Sequence, residues 1–378
     1  MTIPVCIPVV PKNAKKYVNA VIEKNWVSSL CLDEEVNYLK KLEEGFSSFI
    51  GVNYGVAVTN GSTALDLAVA TLGIGPGDEV ITPTFTHIAT INAIIHNGAR
   101  PVFVDVDWKT WTIDVASLES VVSEKTRAII PVHMYGYPCD MDRIMEIAEK
   151  YNLFVLEDAA EAIGTEYKDK NAGSIGDMAC FSFYANKMIT SGEGGMVVTN
   201  SEELASRAAM LKDQAYGDSK FIHEYIGFNF RMNNLTAAYA YASFEEVSDY
   251  IGKRIKNAEL YNSILCDIEG ITLPPKGNNG IVNSYWMYGI LIDKEKFGRS
   301  KQEVIELLKS EYGIDSRDFF YPMHKQPVMI KRGYIEKGTV MPVSEKLWNN
   351  GLYLPSSTNL KKDEISYICD ALKQLKQK

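Results

Sequence analysis

Lys187 stands in the stretch CFSFYANKMITSGEGG, residues 180–195, between an apolar run and a glycine-rich one. A buried strand ending just before it would leave its side chain partly desolvated. Desolvation lowers an ammonium pKa, and the neutral amine is the form that condenses with carbonyls to make an imine. The glycines at 192, 194 and 195 allow close backbone approach behind it. Asp158 closes the run Leu153-Phe-Val-Leu-Glu-Asp, which has the pattern of a strand buried on both faces. A carboxylate there lies where ligands gather in open α/β sheets. A third group, Gly61-Ser62-Thr63, follows a short apolar strand and opens an apolar helix. Its free N–H groups, helix dipole and two hydroxyls form a cup for an anion. Taken singly, these are a surface lysine, a strand-end acid and an N-cap.

The elements that must position these groups are legible as alternation. Apolar runs at 56–58, 79–82, 102–104, 128–132, 153–158, 180–184 and 196–199 read as strands, with helical patterns at 64–72, 88–95, 118–122, 141–151 and 202–211 between them. This implies an α/β fold with a mostly parallel sheet covered by helices on both faces. His87 then falls at the ligand side of the sheet, just past a strand's carboxyl end. Two amphipathic helices are predicted upstream, within 8–29 and over 35–50. A long helix over 244–265, carrying Lys253-Arg254 as a charged cluster, leads out of the sheet. Beyond it the pattern is α+β, with a strand at 285–292, a helix at 301–312, strand entry at 313–315 and a terminal helix at 363–375; the Pro- and Gly-containing run 274–280 is a loop. The expected organisation is a large domain, residues 1–245, and a small C-terminal domain, residues 246–378.

Bulk properties narrow the class. A chain of 378 residues, 46% hydrophobic and 23% charged, has room for one large core and a smaller one. Its net charge of −9 argues against nucleic acid as a partner. No run is long and apolar enough to span a bilayer, and the opening MTIPVCIPVVPKNAKK lacks the organisation of a secretion signal. Six scattered cysteines without CxxC pairing read as reduced packing residues of a cytoplasmic protein, with no metal site.

An acid at a buried strand end, a lysine further on in a glycine-rich loop and an upstream Ser/Thr helix start together meet the needs of pyridoxal 5'-phosphate. The lysine forms the imine, the carboxylate keeps the pyridine nitrogen protonated, and the cup holds the phosphate. A dinucleotide-binding protein would show Gly-x-Gly-x-x-Gly after its first strand, and none occurs there.

The motifs NGSTALDLA, PTFTHIATINAI, EDAAEAIG, FSFYANKMITSGEGG and GFNFRMNNLTAAYA resemble the DegT/DnrJ/EryC1/StrS sugar aminotransferases over essentially the whole chain. The resemblance implies the pyridoxal-phosphate-dependent transferase fold type I, as in aspartate aminotransferase. Trp26-Val-Ser-Ser29, HMYGYPCDM at 133–141, Tyr285-Trp-Met287 and Phe320-Tyr-Pro-Met-His324 look most like the GDP-perosamine synthases of that group. Carried over by position, Lys187 corresponds to the Schiff-base lysine, Asp158 to the partner of the ring nitrogen, and Glu161 to the acid near the ring's phenolic oxygen. His87 falls where a ring-stacking residue, commonly a larger aromatic, is expected. Ser62, Thr63 and Ser182 match phosphate ligands. Asn229 matches a phosphate ligand supplied by a second subunit, with Arg231 beside it, so a homodimer with shared sites is implied. Ala185 stands where relatives often carry Gly. Trp26, Ser28, Arg231, Arg317, Tyr321 and His324 are candidate sugar-nucleotide contacts.

The implied reaction is a ping-pong transfer from L-glutamate to a nucleotide-linked 4-keto-6-deoxy sugar, with Lys187 shuttling the proton. Amination of a UDP- or dTDP-linked keto sugar, a sugar dehydratase or lyase on the same scaffold, and a non-catalytic cofactor-binding regulator stay open as alternatives.

Overall fold

The structure, a computed structural model, describes residues 2–217, 221–278 and 280–376. Its centre is a seven-stranded sheet with the spatial order Tyr54–Val58, Gly195–Thr199, Met178–Ser182, Phe154–Asp158, Thr126–Ile129, Glu79–Pro83, Arg100–Val104. Gly195–Thr199 runs antiparallel to both of its neighbours. All other neighbours pair parallel, so the remaining strands share one carboxyl edge. The connection that carries Lys187, residues 183–194, contains no helix and returns the chain antiparallel.

Side-chain alternation along these strands builds two cores. Phe181, with Phe183, faces a layer containing Leu42 and Phe46 of the helix Tyr38–Ile50 and Ala237 of Asn234–Phe244. Met178 and Cys180 face the opposite layer, against Leu65 and Ala68 of the helix Gly61–Thr71. A smaller antiparallel sheet, in the order Ile271–Thr272, Tyr288–Ile292, Gly351–Leu354, Arg317–Asp318, is packed by the helices Val247–Leu265, Lys301–Tyr312 and Lys362–Leu375. No helix among the described residues is long and apolar enough to cross a membrane.

Several boundaries differ from expectation for local reasons. The helix predicted over 35–50 starts at Tyr38, because the Asn37 side chain accepts from the Lys40 N–H and caps it. The helix predicted over 244–265 is Val247–Leu265, and a separate helix, Asn234–Phe244, precedes it. They part at Glu245 and Glu246, whose carboxylates take hydrogen bonds from Asn13, Tyr17 and Lys12. Residues 118–122 form only a short 3-10 turn, Leu118–Val121. The strand predicted at 285–292 begins at Tyr288. Tyr285 is left-handed, φ 49°, and its N–H is held by the Asn283 side chain at 2.8 Å. Arg254, part of the charged cluster Lys253-Arg254, is 3% exposed. The loop at 274–280 is irregular as expected, except for Asn279, which lies outside the described residues. The helices Pro327–Lys331 and Pro342–Asn350 and the strand Gly351–Leu354 had no clear sequence signal.

Both ends of the chain meet in the C-terminal layer. Ile3 forms a parallel bridge with Ile314 and is buried among residues of the terminal helices. Asp105, just past a strand of the large sheet, accepts the N–H groups of Val343 and Ser344, each at 2.9 Å, and the Ser344 hydroxyl. It therefore caps the helix Pro342–Asn350 from across the fold, doing in tertiary contact what an N-cap does locally. Removing that carboxylate with Asp105→Ala should cost about 1–2 kcal/mol, seen as a lower urea midpoint with an unchanged slope.

Candidate active site

Asp158 ends a central strand and is 5% exposed. Its Oδ2 accepts from the Thr90 hydroxyl at 2.7 Å and its Oδ1 from the Ala160 N–H at 3.2 Å. Thr90 belongs to the helix that His87 caps and is itself 2.9 Å from the Thr86 hydroxyl. The carboxylate is thus aimed by a neighbouring helix as well as by its own strand. Glu161 follows in a tight turn closed by Ala162 N–H to Ala159 C=O. Its Oε2 accepts the Tyr135 N–H at 2.9 Å, and Tyr135 is left-handed, φ 53°.

The Lys187 ε-nitrogen lies 3.9 Å from Glu161 Oε1 and 3.5 Å from the centroid of the Trp286 ring. Burial pulls its ammonium below the ordinary lysine range, against the opposing pull of Glu161 and Asp158. Burial likewise pushes the Glu161 carboxyl up to about 7, with Lys187 opposing. Both shifts run toward the neutral forms, of the amine and of the carboxyl alike.

His87 accepts the Ala89 N–H on Nδ1 at 3.2 Å. A backbone N–H can only donate, so this nitrogen bears the lone pair and the ring proton sits on Nε2. Burial, then Lys187, lower the imidazole pKa, which favours the same neutral form. Phe320 meets its ring edge-on at 5.6 Å.

At the helix start, Asn60 accepts the Thr63 N–H at 2.9 Å and Thr63 Oγ1 accepts the Asn60 N–H at 3.2 Å. Thr63 therefore holds the turn in shape, and Ser62 and Ser182 line the cavity beside it. Glycine is required here by close approach. A Cβ on Gly61 would come within 2.8 Å of Ser182 Cβ, and one on Gly195 within 2.5 Å of the Asn60 carbonyl. The cup is thereby pressed against the strand that leads to Lys187.

These groups line one cavity of about 650 Å³. Ser62, Thr63, His87, Asp158, Glu161, Ser182, Lys187 and Arg317 all contribute to its wall. Trp26, Ser28, Asn229, Arg231, Tyr321 and His324 lie outside that wall. The Trp26 and Ser28 carbonyls are held by the buried Asn234, through its side chain and its N–H. Asn229 accepts from Arg231 Nε and Nη2 and is exposed, while Arg231 also pairs with Asp213 at 2.8 Å. Tyr321 packs edge-on against Trp348. His324 is 1% exposed, its ring bridging the Thr84 hydroxyl at 2.8 Å and Glu345 at 3.1 Å. Residues not singled out from the sequence, Asn186, Trp286 and Tyr353, also line the cavity. Asn186 lies inside the motif FSFYANKMITSGEGG and Trp286 inside Tyr285-Trp-Met287, while Tyr353 had no signal.

The donor set fits pyridoxal phosphate. N–H and hydroxyl donors at a helix start suit a phosphate, a buried carboxylate suits a protonated ring nitrogen, and a desolvated amine suits a carbonyl.

The raised Glu161 pKa has a consequence for the cofactor-free chain. The folded state holds that proton up to about pH 7, whereas an unfolded glutamate releases it near pH 4.3. Between those limits the folded state binds more protons, so stability falls as pH rises. In thermal melts of cofactor-free protein, Glu161→Gln should gain on the wild type across this window, hold a constant advantage above it and lose the difference below it.

Residues 9–373 match the model of the DegT/DnrJ/EryC1/StrS aminotransferase family. The chain is 40% identical over 373 residues to the GDP-perosamine synthase of Escherichia coli O157:H7, covering 98% of each chain. It is 37% identical to the GDP-perosamine synthase of Vibrio cholerae, again over 98% of each. Among solved structures it superposes on DesV of S. venezuelae with a TM-score of 0.89 at 30% identity, over 97% of this chain and 95% of that one. The sugar aminotransferase Spr1654 of Streptococcus pneumoniae, described as putative and solved in its PLP form, gives 0.91 at 25% identity over 100% and 99%. With a site built for pyridoxal phosphate and similarity along nearly its whole length, the chain belongs to the DegT/DnrJ/EryC1/StrS family of pyridoxal-phosphate-dependent sugar aminotransferases.

Proposed function

We propose that the protein transfers an amino group from L-glutamate to C4 of a GDP-linked 4-keto-6-deoxy sugar, with GDP-4-keto-6-deoxymannose giving GDP-perosamine as the best match. The observation that carries the reaction type is one cavity holding the Lys187 amine, the Asp158 carboxylate and the Ser62–Ser182 donors. The GDP assignment is supported by the similarity to the two synthases named above. Six free cysteines support a reducing, cytoplasmic setting.

Pyridoxal phosphate, when bound, supplies a carbonyl for the amino group and a ring that delocalises the electron pair left by a broken C–H bond. The Ser62 and Ser182 hydroxyls and the helix start would hold its phosphate, Asp158 its ring nitrogen and Lys187 its carbonyl carbon. The Lys187 ε-nitrogen takes a proton from the donor's α-carbon and, in the second half, delivers one to the sugar carbon. Glu161, with its carboxyl poised near neutrality, holds or accepts a proton beside that amine. Arg317, on the cavity wall, is placed to meet substrate anionic groups. The surrounding apolar wall of Trp286, Phe320 and Tyr353 limits water.

The site is shared in a homodimer. Support comes from Asn229 lying exposed and outside its own chain's cavity, and from the exposed apolar side chains of Ile222, Tyr225 and Ile226 on the segment leading to it. Trp26, Ser28, Arg231, Tyr321 and His324 are assigned to the sugar-nucleotide side of the assembled site.

A panel of GDP-, dTDP- and UDP-linked keto sugars with glutamate, read by mass, tests the assignment. The expected product gains an amine on the GDP sugar only; loss of water without amine gain would place the protein among the lyases. Lys187→Ala should abolish turnover in the same assay. Mixing inactive Lys187→Ala and Asn229→Ala chains should restore about a quarter of wild-type activity if sites are shared, by forming mixed dimers with one intact site.

A further inference from the structure

Trp286 is built into the site more firmly than a lining residue needs to be. It is 5% exposed. Its indole N–H donates to the Asn186 carbonyl at 3.0 Å, immediately before Lys187. Its own carbonyl accepts from Arg254 Nη1 at 2.8 Å, and Arg254, buried in turn, donates its Nε to the Thr358 hydroxyl at 3.0 Å. The Tyr135 ring stacks on it with centroids 6.1 Å apart and planes inclined by 27°. The left-handed Tyr285 turns the chain just before it. The ring is therefore held by its edge, its backbone and a neighbouring face.

What this clamped ring presents is the surface on which the Lys187 nitrogen rests, 3.5 Å from the centroid. Glu161 at 3.9 Å is beyond hydrogen-bonding distance. A transferring enzyme of this kind has a lysine that is covalently engaged in one half of its cycle and free in the other. A free amine in a desolvated site needs a partner that holds it without capturing its proton. An aromatic face does this, because it attracts the ammonium electrostatically and offers no proton acceptor. A carboxylate at contact distance would trap the proton instead.

We propose that Trp286 is the positioning residue for the free Lys187 amine: its indole face receives the ε-nitrogen whenever that amine is not covalently engaged, and the N–H tether to Asn186 keeps the face beneath the lysine. The proposal rests on Lys187 being the reacting amine. The titratable groups facing the amine are Glu161, Asp158 and His87, with Arg317 on the cavity wall and Arg254 behind the Trp286 carbonyl. Glu161 and Asp158 support the ammonium and burial opposes it; the indole face adds to the supporting side.

The test is competitive acetylation of full-length protein in its pyridoxamine-phosphate form with trace acetic anhydride across pH, read by mass at the Lys187 peptide. Removing the face lowers the amine's pKa, so Trp286→Leu should be acetylated at pH 7 about fivefold faster than wild type. Trp286→Met serves the same comparison if the Leu variant does not fold. Trp286→Phe, which keeps an aromatic face and loses the N–H tether, should stay near the wild-type profile while kcat falls and KM for glutamate holds. Superimposable profiles for wild type and the Leu or Met variant, or an equal shift in Trp286→Phe, would overturn the proposal. Either result leaves the lysine's role to the separate Lys187→Ala turnover assay, where retained activity would sink that reading instead.

Discussion

On the proposed reaction, the Lys187 amine has to react with carbonyls, so it must be kept from holding its proton too tightly in a pocket that also carries carboxylates. The structure meets this constraint by distance. Asp158 is engaged by Thr90 and the Ala160 N–H, Glu161 by the Tyr135 N–H, and Lys187 approaches Glu161 no closer than 3.9 Å. Burial then works on both partners, lowering the lysine and raising Glu161 toward neutrality. Had the two met in a tight buried ion pair, each would be stabilised in its charged form and the amine would be a poor nucleophile.

That spacing depends on elements far apart in the chain. Asp158 and Glu161 come from the end of a central parallel strand, Lys187 from the antiparallel return beside it, and Trp286 from the turn before a strand of the second sheet. The two parts of the fold are tied at the same edge, where Asp105 caps the helix Pro342–Asn350 and His324 bridges Thr84 to Glu345. His324 thereby orients the segment that carries Phe320 into the cavity against His87. A third buried carboxylate, Glu157, serves the same end. It sits next to Asp158, pairs with His133 at 2.9 Å and accepts the N–H groups of Gly173, Ile175 and Gly176, which fixes the strand from the face opposite the site.

Much of this was legible in the residues, and the parts that were not have a common cause. Lys187, Asp158 and the Gly61 helix start could be picked out because each lies beside a short, strongly patterned element whose direction sets where its side chain goes. Phe181 and Cys180 alternate between the two cores as the strand period requires. The burial of Arg254 was not legible, because a helix of mixed composition does not announce which of its faces is covered, and the partners that meet its guanidinium are Trp286 and Thr358. Trp286 itself looked like part of a strand, and only the left-handed Tyr285 takes it out of the ladder. Thr63 reads from sequence as a phosphate ligand with a helix cap as the rival, and its hydrogen bonds to Asn60 show that it caps the helix while it also lines the cavity.

By itself the sequence determined the α/β order of elements and singled out Lys187, Asp158 and the Gly61–Thr63 helix start as the candidate amine, acid and anion cup. The order follows from local periodicity, and the candidates from the combination of three residue types that singly would read as a surface lysine, a strand-end acid and an N-cap. The tertiary structure decided how far Lys187 stands from Glu161, which ring it rests on and which of the candidate residues share its cavity. Those are distances between segments brought together by sheet pairing and by the packing of the second sheet onto the first, and a pairing between positions 187 and 286 leaves no periodic trace along the chain.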